Sequence, residues 1–270
     1  MIKKDLVVVG GGPAGLAAAI SAYDSGVRDI LLLERDQYLG GLLNQCIHTG
    51  FGIDYFKENL TGPEYADRFI KRIRALPGIK ISLRSFVVRL KKDKTLTYLV
   101  PGGLHTIRPK ALIMARRFTL EGAKVKAIIE IQPQTRGLVR NLVQCVEDFG
   151  IPIYFDHKVL KIHGKDRVEK VSVAKVDNKA SEIPGTEFDI ECDTVLVSVG
   201  LIPENELVEM AGVAIDARTN SPISKEVNRT SIPGVFVCGN SFKVYDYVDS
   251  VTRDSELAGK LAAEYIRNSR

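Results

Sequence analysis

The sequence predicts an α/β fold, a parallel sheet layered between helices, on three observations. An apolar run, Leu6-Val-Val-Val9, breaks at glycines 10, 11 and 12 and leads into an alanine-rich segment. A second apolar run, Ile30-Leu-Leu-Leu33, follows and ends on Glu34. Near the other end, Thr194–Gly200 and Val235–Cys238 are continuous apolar runs, the pattern of strands buried on both faces.

Taken in order, residues 5–34 form a strand–turn–helix–strand unit. In Gly10-x-Gly12-x-x-Gly15 the glycines have separate roles. Gly10 makes the turn, Gly12 admits a pyrophosphate, and Gly15 lets helix lie on strand. The helix N-terminus offers N–H groups and partial positive charge to the diphosphate. Glu34, nineteen residues after Gly15, is placed to accept hydrogen bonds from ribose hydroxyls. With strand, helix and acid in register, the spacing specifies a dinucleotide site.

Leu39–Gly52 is glycine-studded and semi-apolar, which suits a loop around a ligand. Thr61-Gly-Pro-Glu64 has capping-box spacing and predicts a helix to about Arg74. Runs near 79–89, 95–100 and 104–108 read as strands of a meander, and Lys110–Ile113 begins another buried strand. Residues 114–122 are patterned as a helix, and Lys124–Glu130 as a strand ending on an acid. This is the rear half of a second βαβ unit whose front half is missing. A helix is expected over Leu138–Phe149, stopped by Gly150. Strands are expected near 152–155, 159–163, 168–176 and 187–191, the middle pair a hairpin. A helix over Ser250–Arg267 closes the chain.

The 270 residues suffice for one large domain or two modest ones. The net charge of +5 reads as mild and scattered, and the sequence has no tryptophan and no basic-aromatic interleaving, which argues against a nucleic-acid face. Cys46, Cys145, Cys192 and Cys238 lie far apart, without CxxC or metal spacing, and read as reduced thiols of a cytoplasmic protein. Lys3-Lys4 before an apolar run imitates a secretory signal, but Asp5 and the glycine turn fit strand and loop better. No later run reaches membrane-spanning length.

Three motifs, read together, resemble one family. They are Gly10-x-Gly12-x-x-Gly15 with Glu34; Asp193-x-Val-Leu-x-x-x-Gly200-x-x-Pro203-x-Asn205; and Thr230-x-x-Pro-Gly-Val-Phe-Val-Cys-Gly239-Asn240. The chain is similar to two-dinucleotide-binding-domain flavoproteins, the group of pyridine nucleotide-disulfide reductases and NAD(P)/FAD-dependent dehydrogenases. Leu43–His48 and Leu60–Glu64 resemble the branch found beside glycerol-3-phosphate, proline and opine dehydrogenases. The resemblance implies a three-layer FAD/NAD(P)-binding (Rossmann-like) domain with a second, truncated dinucleotide-binding domain. Residues 1–113 and 193–270 would form the FAD domain, and 114–192 the remnant of the NAD(P) domain. It also implies FAD contacts at Gly10, Gly12, Pro13, Ala14, Gly15, Glu34, Arg35, Gly41, Gln45, Val87, Gly239, Asn240 and Asp249. Asn240 stands where the wider family has aspartate on a ribityl hydroxyl and keeps an acceptor there. The helix after Asp249 would direct its positive end at the flavin N1–C2=O edge.

The chain departs from the family after Ile113. An Ala-Thr-Gly segment, a linker, a strand and a second glycine loop are expected there, but the sequence runs straight into Met114-Ala-Arg-Arg. Glu130 stands where the acid for a second ribose would stand, with no pyrophosphate cradle facing it. Two or three charge-assisted hydrogen bonds, about 1.5–3 kcal/mol each, are then missing, which weakens NAD(P)H binding by roughly 10²–10⁶-fold. An incomplete second sheet also leaves an edge open to association.

Disulfide reductases carry two cysteines after the Gly-Gly that follows the ribose acid. Here Gly40-Gly41 is followed by Cys46 alone. Cys46 and His48 read either as an activated thiolate pair facing the flavin or as a packed cysteine beside a hydrogen-bonded histidine. No metal-ligand spacing occurs. The expected function is a FAD-dependent oxidoreductase working between a small-molecule electron donor and acceptor. The alternatives are an electron-relaying or non-catalytic subunit of a larger dehydrogenase, and an inactive truncated product. A partner dehydrogenase subunit or a homodimer is the expected association.

Overall fold

The computed structural model describes residues 2–114, 125–134, 150–196, 203, 205–224 and 226–269. The chain packs as two compact units, Met1–Thr119 with Leu201–Arg270, and Leu120–Gly200.

The first unit is built on β1 (Ile2–Val9), α1 (Pro13–Asp24) and β2 (Ile30–Leu33). Two short strands follow, β3 (Thr49–Phe51) and β4 (Leu60–Thr61), and then α2 (Gly62–Arg74). The Thr61 side chain accepts from the Glu64 amide while the Glu64 carboxylate accepts from the Thr61 amide, so the predicted capping box closes α2. Next come β5 (Ile79–Ser82), β6 (Phe86–Leu90), β7 (Leu96–Val100) and β8 (Gly103–Met114). The run expected near 79–89 is therefore two strands, broken at Leu83–Ser85. β5 pairs parallel with β2, whereas β6, β7 and β8 form the antiparallel meander. The strand expected from Lys110 is the second half of β8, which leaves the meander to lie parallel to β1.

The second unit holds β9 (Ile128–Ile129) and β10 (Ile153–Tyr154), which pair parallel with each other. Beside them β11 (His157–His163), β12 (Lys170–Lys175) and β13 (Phe188–Glu191) form an antiparallel sheet containing the predicted hairpin. Val171, Val173 and Ala174 are buried in it. The helices expected at 114–122 (Met114 apart) and 138–149 lie outside the described residues. So does most of the strand expected at 194–200. Its described start departs from expectation: Thr194–Leu196 is not strand, and Leu196, without a ladder partner among the described residues, is 61% exposed.

The chain then returns to the first unit with α3 (Glu206–Met210), β14 (Val235–Val237), which pairs parallel with β8, and α4 (Val248–Asn268). Alternation along β1 explains the layers. Leu6 and Val8 pack under α1, α2 and α4, while Val7 and Val9 pack under the meander and α3. α1 and α4 lie close because Gly259 has no Cβ where one would overlap the Ala18 carbonyl. The charge is not scattered: residues 86–110 contain six Lys or Arg and one acid, Asp93, a net +5 equal to that of the entire chain.

Candidate active site

A cleft opens at the carboxyl ends of β1 and β2, where α1, the segment after β2, β6, the turn after β14 and the start of α4 converge. Its middle is the glycine turn. Gly10 has φ +105°, a conformation that costs a side chain but not glycine. A Cβ on Gly15 would overlap the Gly10 carbonyl oxygen, so that glycine serves packing. A Cβ on Gly12 would meet nothing within 4 Å, so its open side belongs to the cleft. Gly12 is also the N-cap of α1, whose first amides have no side-chain cap. An uncapped helix N-terminus over open space suits an anion.

At one end of the cleft, Glu34 is 5% exposed and accepts from the amides of Gly11 and Asp36. Burial holds its carboxyl above the ordinary range, against the downward pull of those two amides. Arg35 and Asp36 line the cleft beside it, and Ser85, Phe86 and Val87 face it from the meander. At the other end, the lining is made by Leu42, Leu43, Cys46 and Phe51 from one stretch of the chain, a first wall, and by Asn240, Tyr245, Val248 and Val251 from another, a second. Asn240 Oδ1 is buried without a hydrogen bond, whereas the Tyr245 hydroxyl beside it faces Asp254. Buried polar atoms are normally paired, so an orphan on a cleft wall marks a place for a polar ligand.

The cleft brings together Gly10, Gly12, Pro13, Ala14, Glu34, Arg35, Gly41, Cys46, Val87 and Asn240. Gly15, Gln45, His48, Gly239 and Asp249 are not on its lining. Gln45 is exposed. Gly239 makes room for α1, since a Cβ there would lie 2.7 Å from that of Ala14. His48 Nδ1 lies 3.1 Å from the Thr49 carbonyl, and its ring lies 5.2 Å from that of Phe51. Asp249 is buried, and its carboxylate is spent on the amides of Gly52, Asp54 and Tyr55 instead of a ligand. Sequence reasoning missed Phe51, Phe86, Tyr245, Val248 and Val251. Only Tyr245, a polar aromatic just past Gly239-Asn240, carried a signal. Burial pushes the Cys238 thiol up to about 12, which makes it a poor nucleophile.

Among the described residues no group of His, Cys, Asp or Glu could hold a metal ion, and no helix is long and apolar enough to cross a membrane. The open Gly12 face, the uncapped helix and the orphaned Asn240 oxygen fit an extended nucleotide with a diphosphate at its centre.

Comparison with known proteins adds four findings. The profile of the family described as FAD dependent oxidoreductase matches residues 5–188. A thioredoxin reductase of Listeria monocytogenes is 24% identical over 315 positions, covering 97% of this chain and 93% of that protein. A glutamate synthase [NADPH] small chain of Mycobacterium tuberculosis is 23% identical, covering 98% of this chain and 67% of the other. Among solved structures, T. acidophilum thioredoxin reductase superposes with a TM-score of 0.69 at 22% identity, covering 99% of this chain and 98% of that one.

Proposed function

This chain belongs to the FAD-dependent oxidoreductase family, and on that premise we propose that it holds FAD along this cleft and passes electrons between a small-molecule donor and acceptor, with little use of NAD(P)H. When bound, flavin supplies redox chemistry that no side chain of the protein offers. Gly12 and the first turn of α1 would hold the diphosphate, Glu34 the ribose hydroxyls, and Asn240 the ribityl arm. Val87 would flank the adenine. Leu43, Phe51, Val248 and Val251 would keep water from the ring, with the positive end of α4 beside it. The observation that carries this reading is the meeting of α1's uncapped N-terminus, buried Glu34 and orphaned Asn240, from the two ends of the chain, in one cleft.

Two facts support little use of NAD(P)H. G-x-G-x-x-G occurs once in the sequence, at 10–15. The alignment with the Listeria protein spans 315 positions against 270 residues here, so that relative has residues this chain lacks. Dithiol exchange is not supported either, since Cys46 is alone on its loop and Cys238 is inert.

A second reading, an electron-relaying subunit that takes electrons from a partner dehydrogenase, is favoured by the likeness to a protein named as a small chain. The test is spectroscopic. FAD-loaded protein should show a flavin band that dithionite bleaches and that NADH under anaerobic conditions leaves in place. Rapid bleaching by micromolar NADH overturns the reading on NAD(P)H, and failure to take up FAD overturns the reading as a whole.

A further inference from the structure

The wall formed by Cys46 and Phe51 belongs to a segment with few anchors of its own. Between Gly40, whose amide donates to the Gly11 carbonyl, and Gly62, whose amide donates to the Cys46 carbonyl, regular structure is limited to one turn and the two short strands β3 and β4. Tyr55 and Phe56 pack their rings on Tyr65 and Phe69 of α2, and the Phe56 amide donates to the Gly52 carbonyl; the side-chain hydrogen bonds to the middle of this segment come from nearly two hundred residues away, on α4. Asp249 Oδ1 accepts from the Gly52 amide at 3.1 Å, and Oδ2 accepts from Asp54 at 2.8 Å and Tyr55 at 3.2 Å. One turn on, Arg253 donates to the Asp54 carbonyl at 2.9 Å. A further turn on, Glu256 accepts from the Tyr55 hydroxyl. These three residues share one face of α4, at the helical spacing of four and three.

The adjoining face carries Val248 and Val251, which line the cleft, and Asp254, a third of a turn away, accepts from the Gly239 amide at 3.4 Å and from Asn228 at 3.0 Å. The first two turns of α4 therefore grip both walls of the cleft with carboxylates. Asp249 is the tighter grip, because three backbone amides converge on one buried side chain. It acts one residue from the wall, since Gly52 follows Phe51.

We propose that Asp249 is a positioning residue that fixes the Cys46–Tyr55 segment against α4 and thereby sets the width of the flavin end of the cleft. This rests on the FAD reading for its meaning but not for its geometry. Releasing the carboxylate should free the segment while α1, β1 and the sheet stay as they are.

The test is peptide-resolved alkylation with iodoacetamide on purified protein without added FAD. Cys192, half-buried in the second unit, is the internal reference. Asp249→Asn keeps the shape but sets an amide against two N–H donors. It should speed alkylation of Cys46 about tenfold, the change that ~1.4 kcal/mol makes, and leave Cys192 unchanged. Arg253→Ala, which leaves no buried charge unpaired, should move Cys46 the same way by less. In a separate titration, Asp249→Asn should weaken FAD about tenfold while wild type binds. An unchanged Cys46 rate, or Cys46 and Cys192 rising together, overturns the proposal. Failure of wild type to bind FAD overturns the cofactor reading alone.

Discussion

The glycine motif illustrates how residues of one type divide into ligand and packing roles. Gly12 has φ −76° and open space where a Cβ would go, so Gly12→Ala should leave the stability of the FAD-free protein within about 0.5 kcal/mol of wild type. The added methyl projects into the cleft and should lower FAD affinity severalfold. Gly15→Ala should do the reverse in the absence of ligand, costing about 1–3 kcal/mol, because its methyl meets the Gly10 carbonyl. Thermal melts and FAD titration of both variants check the pair, and equal losses of stability would refute the division. Glu34 gives a pH prediction. Burial raises its carboxyl, so the folded chain keeps a proton that the unfolded chain has lost. Its contribution to stability is full below the ordinary carboxylate value and is lost as pH rises through the raised value. Melting temperatures of FAD-free protein between about pH 4 and pH 7 should therefore slope downward from this group, and Glu34→Gln should flatten that slope. An identical slope in the variant would count against it.

At the scale of elements, legibility follows how local the determining forces are. β1, α1, β2 and α2 are readable because glycine spacing, alanine content and a capping box act within a few residues of the feature they create. Both reciprocal bonds of that box are present. β8 reads as two pieces because its two halves answer to different partners, β7 and then β1, and a strand that changes neighbours along its length shows no single periodicity. The cleft's middle is legible for the same local reason. Its flavin end is not, since Val248 and Val251 reach it only through the packing of α4 against α1. The resemblance implies a ligand-facing role for Asp249, yet an acid in the first turn of a helix suits the helix dipole whatever else it binds. Only the fold shows that three amides from a distant loop have taken it.

At the scale of the molecule, the uneven charge is explained by sheet order. β6 is the last strand of the seven-stranded sheet and pairs on one side with β7. Phe86 of β6 lies in register with Leu99, which lies in register with Leu104, and all three are exposed, as is Val88. An open edge flanking an apolar row invites a strand from another molecule. Arg89 stands on that edge strand, Lys91 and Lys92 in the turn that follows it, and Arg108 and Lys110 on β8, two strands in. Arg108 pairs with Asp93 and Lys110 with Asp5, whereas Arg89, Lys91 and Lys92 form no ion pair with a described residue. Like charges on and beside an edge strand repel a second copy presenting the same edge. Replacing the three together (Arg89→Thr, Lys91→Ser, Lys92→Ser) should therefore raise the mass in sedimentation equilibrium above wild type and make it grow with protein concentration. High salt, which screens the same charges, should push wild type in the same direction. If the triple variant sediments as wild type does at every concentration, the cations do not guard this edge, and the apolar row must be protected by some other feature of the meander.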